Sequence, residues 1–172
     1  MEYISCYVSP LGKILLAADE IGLTGLWFEG QKYFACCLGQ ENEEVEIPLF
    51  YDVKKWLDLY FSGKEPKEQI PLHLKGTDFQ KEVWKILCAI PYGQTMTYGE
   101  IAGRMEAERG GKRVAFQAVG NAVGHNPVSV IVPCHRVIGA DGKLTGYAGG
   151  IERKAALLNI EHGRTLGKDF LR

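Results

Sequence analysis

The apolar residues change their spacing part-way along this chain, and that change sets the class of fold open to it. Over the first 30 residues, β-forming side chains come in three short runs, Tyr3 to Val8, Lys13 to Ala18 and Leu23 to Phe28. The turn sequences Ser9-Pro10-Leu11-Gly12 and Asp19 to Gly22 separate them. Short strands joined by tight turns imply an antiparallel meander. Residues 29–48 are acidic and irregular, with a candidate short helix at Tyr33 to Leu38. Leu49, Phe50, Val53, Trp56, Leu57, Tyr60 and Phe61 then recur at helical spacing, and Gly63 stops the pattern. Residues 63–76, with Pro66 and Pro71, read as a linker.

Beyond the linker the period is helical. Thr77 with Gln80, and Thr97 with Glu100, are capping-box signatures. They open a helix punctuated by Pro91 and Gly93, and a shorter one to about Met105. After the turn Arg109-Gly110-Gly111, a third helix is expected from Lys112 to about Gly124, closed by His125-Asn126-Pro127. A short helix, a turn and a helix rich in small residues form a candidate helix-turn-helix. Val128 to Val132 reads as a short strand, and Glu152 to Glu161 as a last helix. The expectation is an α+β chain of two units. Residues 1–75 would form a small antiparallel sheet with a helix. Residues 76–172 would form a mostly helical, winged-helix-like unit.

Charge and cysteine usage narrow the function. The net charge is −1, but its distribution is uneven. Residues 1–75 carry 7 Lys/Arg against 12 Asp/Glu, and residues 76–172 carry 13 against 9. A polyanion would prefer the second part. No apolar run approaches the roughly 20 residues that span a bilayer, and Met1-Glu2-Tyr3-Ile4-Ser5 lacks a secretory start. A soluble, cytosolic protein is expected, with no membrane partner. The five cysteines are odd in number and form no Cys-x-x-Cys pair. Neither a disulfide scaffold nor a zinc site is expected. Cys6, Cys36, Cys37 and Cys88 read as structural residues of core strands or helices.

Cys134 differs from those four. It follows an apolar run and a proline, and it precedes His135 and Arg136. A thiol becomes a good nucleophile when a base or a positive charge lowers its pKa. The residues alone leave Cys134 open between that role and a buried structural one. Glu161, 27 positions downstream, is either a carboxylate that orients His135 or a solvated surface charge. Gln117-Ala118-Val119-Gly120-Asn121-Ala122 presents small residues that let a helix approach another backbone, whether protein or nucleic acid. A slim helix suits the minor groove, which is only about 6 Å wide. Tyr98 and Tyr147, beside glycines, are able to stack on a base or donate from a hydroxyl.

Asn126-Pro127 followed by Ile131-Val132-Pro133-Cys134-His135-Arg136-Val137 resembles the active-site signature of the O6-alkylguanine-DNA alkyltransferases, the methylated-DNA–protein-cysteine methyltransferases. The resemblance extends from Phe79-Gln80 and Val83-Trp84 through Thr97 to Ala102, Ala118-Val119-Gly120 and Gly146 to Gly150. It ends with Lys154, Leu157-Leu158 and Glu161. The first 75 residues match in character, as a ribonuclease-H-like unit.

The resemblance implies a repair protein that binds double-stranded DNA as a monomer and everts an alkylated guanine. It then moves the alkyl group from O6 to Cys134, once per molecule and without a metal or other cofactor. By motif position, His135 would be the base, acting through a water, Glu161 would hold its imidazole, and Asn126 would order the turn around the site. Tyr98 would donate to the departing guanine. The Ala148 N–H would face O6, with Gly149 beside it. Carbonyls of Cys134 and Val137 would select the exocyclic amine, and Tyr147 would wall the alkyl pocket. Phe116, Gln117, Ala118, Gly120, Asn121 and Gly124, with Arg136, would face DNA. Gln117 stands where many relatives carry an intercalating arginine, so an altered extrusion step is expected. The loop Glu106–Arg113 is longer than usual, which bears on phosphate contacts. Three other readings remain on residues alone. They are a module that only binds alkylated DNA, a helix-turn-helix regulator and a cysteine hydrolase. Possession of Cys134 argues against the first.

Overall fold

A computed structural model describes residues 1–163. The last positions assigned to the second unit, 164–172, lie outside the described residues. Three strands, β1 (Glu2–Ser9), β2 (Gly12–Ala18) and β3 (Leu23–Phe28), form the expected antiparallel meander. Ser9 pairs with Gly12 across a two-residue hairpin loop, and Gly12 takes φ +120°, which a side chain would resist. A fourth strand, β4 (Asn42–Glu44), adds to β1 in parallel and gives the sheet order β3-β2-β1-β4. Its sequence, Asn-Glu-Glu, has little β propensity, so no strand is expected there from the residues. Helix α1 (Pro48–Phe61) buries Phe50, Val53, Leu57 and Tyr60.

All six residues of β3 are buried, without alternation. One cause is that the second unit covers it. The Leu26 N–H donates to the Pro127 carbonyl at 2.9 Å, and the Ser129 N–H donates to the Leu26 carbonyl at 3.0 Å. Both units thereby share one apolar core, in which Leu16, Leu26 and Phe28 join Val128, Val132 and Leu157.

In the second unit, α2 (Asp78–Cys88) begins with both bonds of the Thr77–Gln80 capping box. The Trp84 indole N–H donates to the Ala122 carbonyl at 2.8 Å, which ties α2 to α4. Helices α3 (Tyr98–Glu108) and α4 (Phe116–Gly124) are the helix-turn-helix pair. Two short strands, β5 (Met96–Thr97) and β6 (Val137–Ile138), pair in parallel, and α5 (Ile151–Glu161) completes the order.

Three expectations are corrected. Residues Tyr33 to Leu38 form successive turns, because Tyr33 and Ala35 adopt φ +60° and +52° and cannot continue a right-handed helix. Helix α4 starts at Phe116, not Lys112, since the Val114 N–H donates to the Glu106 carboxylate at 3.0 Å instead of entering a helix. Val128 to Val132 is no strand. Only Val128 bridges to Leu26, Val130 takes φ +70°, and the backbone curls so that the Val132 N–H meets the Val128 carbonyl.

Candidate active site

That curl delivers the chain to Cys134, the first residue of a single 3-10 turn (Cys134–Arg136). Asn126 holds the curl together. Its side-chain carbonyl accepts from the Val128 N–H at 3.0 Å, and its amide nitrogen reaches the carbonyls of Val128 and Val132 at 3.2 and 2.9 Å. The same nitrogen lies 3.1 Å from the Cys134 Sγ. Asn126 therefore orders the loop and donates to the sulfur at once. Cys134 is only 5% exposed, and burial pushes its pKa up. The Asn126 amide, the Lys154 ammonium and the backbone N–H groups of residues 134 and 135 oppose that rise.

His135 and Glu161 meet as the sequence suggested. His135 Nε2 is 2.5 Å from Glu161 Oε2, and both side chains are fully buried. Burial pushes Glu161 up, but the hydrogen bond from His135 and the hydrogen bonds and charge of Arg136 override it and hold the carboxyl well below the usual range. Burial lowers His135 despite the Glu161 carboxylate beside it, so the imidazole is neutral. A carboxylate only accepts, and Tyr60 already donates its hydroxyl to the same oxygen at 2.6 Å. The proton of His135 therefore sits on Nε2, an assignment made from the network. Nδ1 is left as a bare lone pair, buried and without a protein partner. A neutral imidazole with its basic nitrogen unpartnered in this way is a ready general base.

Arg136 corrects an expectation. It does not face DNA, because its guanidinium turns inward, where Nε and Nη2 bond Glu161 at 2.8 and 3.2 Å and Nη1 bonds the Ile90 carbonyl at 2.7 Å. It is the cation that keeps Glu161 ionised. The Gly93 N–H adds a further bond to Glu161 Oε1 at 3.0 Å.

A cavity of about 260 Å³ opens above Cys134. Tyr98, Tyr147 and Ala148, expected at the substrate, line it together with Gly120, Asn121 and Gly124, expected at the DNA. The Tyr98 hydroxyl donates to the Thr145 carbonyl at 3.4 Å. Val137, whose carbonyl was expected at the exocyclic amine, is fully buried where β6 pairs with Met96 and is not among the cavity-lining residues. Gly149 is also buried behind it, its space bounded by the Tyr147 ring. Phe116 and Gln117 stand exposed at the start of α4, outside the cavity, with Ala118 half-buried beside them.

Several residues of the site were given no role in it from sequence. Lys154 is fully buried on α5 and donates to the carbonyls of Thr145 and Gly146 at 2.8 and 3.2 Å. Among the described residues no carboxylate meets it, and burial pushes its pKa down to about 8. A lysine within the apolar run Ala155 to Leu158 was the available signal. Tyr60 gave none, because it sits in the apolar stripe of α1. His125, Lys32 and Tyr33 also line the cavity. The Tyr33 ring lies on the His125 imidazole with centroids 4.0 Å apart and planes at 25°. Such a stack is worth about 0.5–1.5 kcal/mol, while a left-handed backbone costs a non-glycine residue about 1–2 kcal/mol.

The other cysteines are not core residues. Cys36 and Cys88 are exposed, and Cys6 and Cys37 are partly so. Burial nonetheless pushes Cys37 up to about 12, away from nucleophilic character. Among the described residues no cluster of three or more His, Cys, Asp or Glu side chains is arranged to hold a metal, and no helix is long and apolar enough to cross a membrane.

Two family models match nearly the whole of this framework. One describes the ribonuclease-like domain of 6-O-methylguanine DNA methyltransferase and matches residues 3–74; the other describes the DNA-binding domain and matches residues 78–163. A methylated-DNA–protein-cysteine methyltransferase of Methanosarcina barkeri is 46% identical over 168 residues, covering 92% of this chain and 96% of the relative. The protein of the same description from Mycobacterium tuberculosis is 46% identical over 156 residues, covering 91% and 90%. The crystal structure of Mycobacterium tuberculosis OGT in complex with DNA superposes with a TM-score of 0.83 at 43% identity, covering 96% of each chain. With a buried sulfur at a cavity, an imidazole and a buried carboxylate set on that shared framework, the chain belongs to the methylated-DNA–protein-cysteine methyltransferase family.

Proposed function

We propose that the protein repairs duplex DNA by taking the alkyl group of an O6-alkylguanine onto Cys134. The observation that carries this is the placement of the Cys134 sulfur at a cavity wall, beside a neutral His135 whose Nδ1 lone pair has no protein partner. A base everted from the minor-groove side enters the cavity. His135 takes the thiol proton through one water, while Glu161, fixed by Arg136 and Tyr60, holds the imidazole. The sulfur attacks the alkyl carbon, the S–C bond forms and the C–O6 bond breaks. Tyr98 passes its hydroxyl proton to the departing guanine, which leaves neutral, the tyrosinate regains a proton from the His135 imidazolium through solvent, and the Ala148 N–H faces O6. The product is a thioether, and each molecule acts once. The exposed residues Phe116 and Gln117, with Ala118, lead α4 into the minor groove. Residues 1–75 form the supporting unit and 76–172 the unit that binds DNA and accepts the alkyl group. The protein acts as a monomer in the cytoplasm, at the nucleoid when on DNA, and without a cofactor.

Incubation with a duplex carrying O6-methylguanine tests the reading. Intact mass is expected to rise by one methyl group per molecule, on the Cys134 peptide, and Cys134→Ala is expected to abolish the gain. Repeated repair by one molecule, or repair with Cys134 unmodified, overturns it.

A further inference from the structure

The second unit does not build the cavity alone. Lys32 and Tyr33, from the turns after β3, stand on its wall together with Cys134. We propose that Tyr33 controls admission to Cys134, its ring covering part of the cavity while stacked on His125 and swinging away when a substrate nucleotide enters. This rests on the alkyl-acceptor reading above.

Three observations carry it. The cover is held by little. One ring stack ties it to His125 and one backbone bond, from the Lys32 N–H to the Ala148 carbonyl at 2.9 Å, ties it to the site loop, while the bonds to its own Lys32 and Tyr33 carbonyls come from the neighbouring Gln31 side chain and Cys36 N–H. The segment is exposed and built of turns, with no ladder to hold it. Next, Tyr33 sits at φ +60°, so the closed position stores backbone strain that opening releases. Strain and stack are of similar size, which makes the segment two-positioned. Last, Lys32 is exposed and its ammonium lies 5.5 Å from the Tyr33 ring centroid. Among the described residues it has no carboxylate partner, although its unit is acidic overall. A cation at the cavity mouth is drawn to a DNA phosphate, and the adjoining Tyr33 moves with it.

The test compares wild type with Tyr33→Asn, which removes the ring and tolerates the left-handed backbone, and with Tyr33→Phe, which keeps the stack. Two rates are read by peptide mass. One is carbamidomethylation of Cys134 by iodoacetamide without DNA, and the other is single-turnover methyl transfer from an O6-methylguanine duplex. Tyr33→Asn is expected to raise both about fivefold, the factor that a stack of about 1 kcal/mol represents. Tyr33→Phe is expected to match wild type. Equal rates in all three proteins overturn the gate alone, as does slower transfer in Tyr33→Asn with Cys134 still methylated in wild type. No methyl gain in wild type from the duplex overturns the alkyl-acceptor reading itself, and the gate with it.

Discussion

Glu161 receives hydrogen bonds from Tyr60, Gly93, His135 and, through two nitrogens, Arg136. Removing its charge strands a buried guanidinium, and breaking a buried pair in this way costs about 3–5 kcal/mol. Glu161→Gln is therefore expected to lower the melting temperature by about 10 °C, measured by calorimetry, and to slow methyl transfer as His135 loses its fixed tautomer. Acid acts on the same group of side chains. The folded state depresses the pKa of His135, so the unfolded chain binds a proton near pH 6.5 that the folded chain refuses. Stability is expected to fall as pH drops below about 6.5, by at most about 1.4 kcal/mol per pH unit from this residue. Glu161, whose folded pKa is also depressed, adds its loss lower, below about pH 4.5. Urea midpoints at pH 7.5, 6.5 and 5.5 check the first effect, and a flat series contradicts it.

At the scale of elements, the loop from Thr145 to Gly150 borders the cavity, and Lys154 on α5 ties down its Thr145 and Gly146 carbonyls. Lys154→Met keeps the length and burial but removes two donors to that loop. Methyl transfer is expected to slow at least tenfold, and amide exchange at 145–150 to quicken. The melting temperature is expected to stay level or rise, because a buried ammonium is replaced by an apolar chain. A fall in melting temperature parallel to the loss of rate would mean that Lys154 matters only for folding. These elements were unequally legible in the amino-acid order. Strands β1 to β3 follow from β-forming runs bounded by turn residues, and helices α1, α2 and α5 from helical spacing and capping signals. The curl at 128–132 does not, since β-branched residues favour a strand and only the Asn126 side chain bends them back. The paired His135 and Glu161 were readable from the motif. Arg136 was misplaced as a DNA contact because the direction of a side chain depends on what packs around it, here Glu161 and the Ile90 carbonyl.

Across the whole molecule, charge and shape divide the labour. The half with more cations carries the exposed start of α4, and the acidic half lies behind the site and lends it two residues at the rim. Gln117 is exposed at the leading end of that helix, where it is able to fill space in a base stack without adding a cation. Gln117→Ala is expected to slow transfer from duplex DNA several-fold while leaving iodoacetamide labelling of Cys134 unchanged. Unaltered duplex affinity and rate would remove Gln117 from the extrusion step. One of the bonds that cross from half to half ends at the buried carboxylate of the site. The Tyr60 hydroxyl, on α1, reaches over to Glu161 at the end of α5. Integrity and reactivity are consequently wired together. A copy whose halves have drifted apart also loses its poised imidazole, and so falls silent instead of spending its one irreversible act on a bystander.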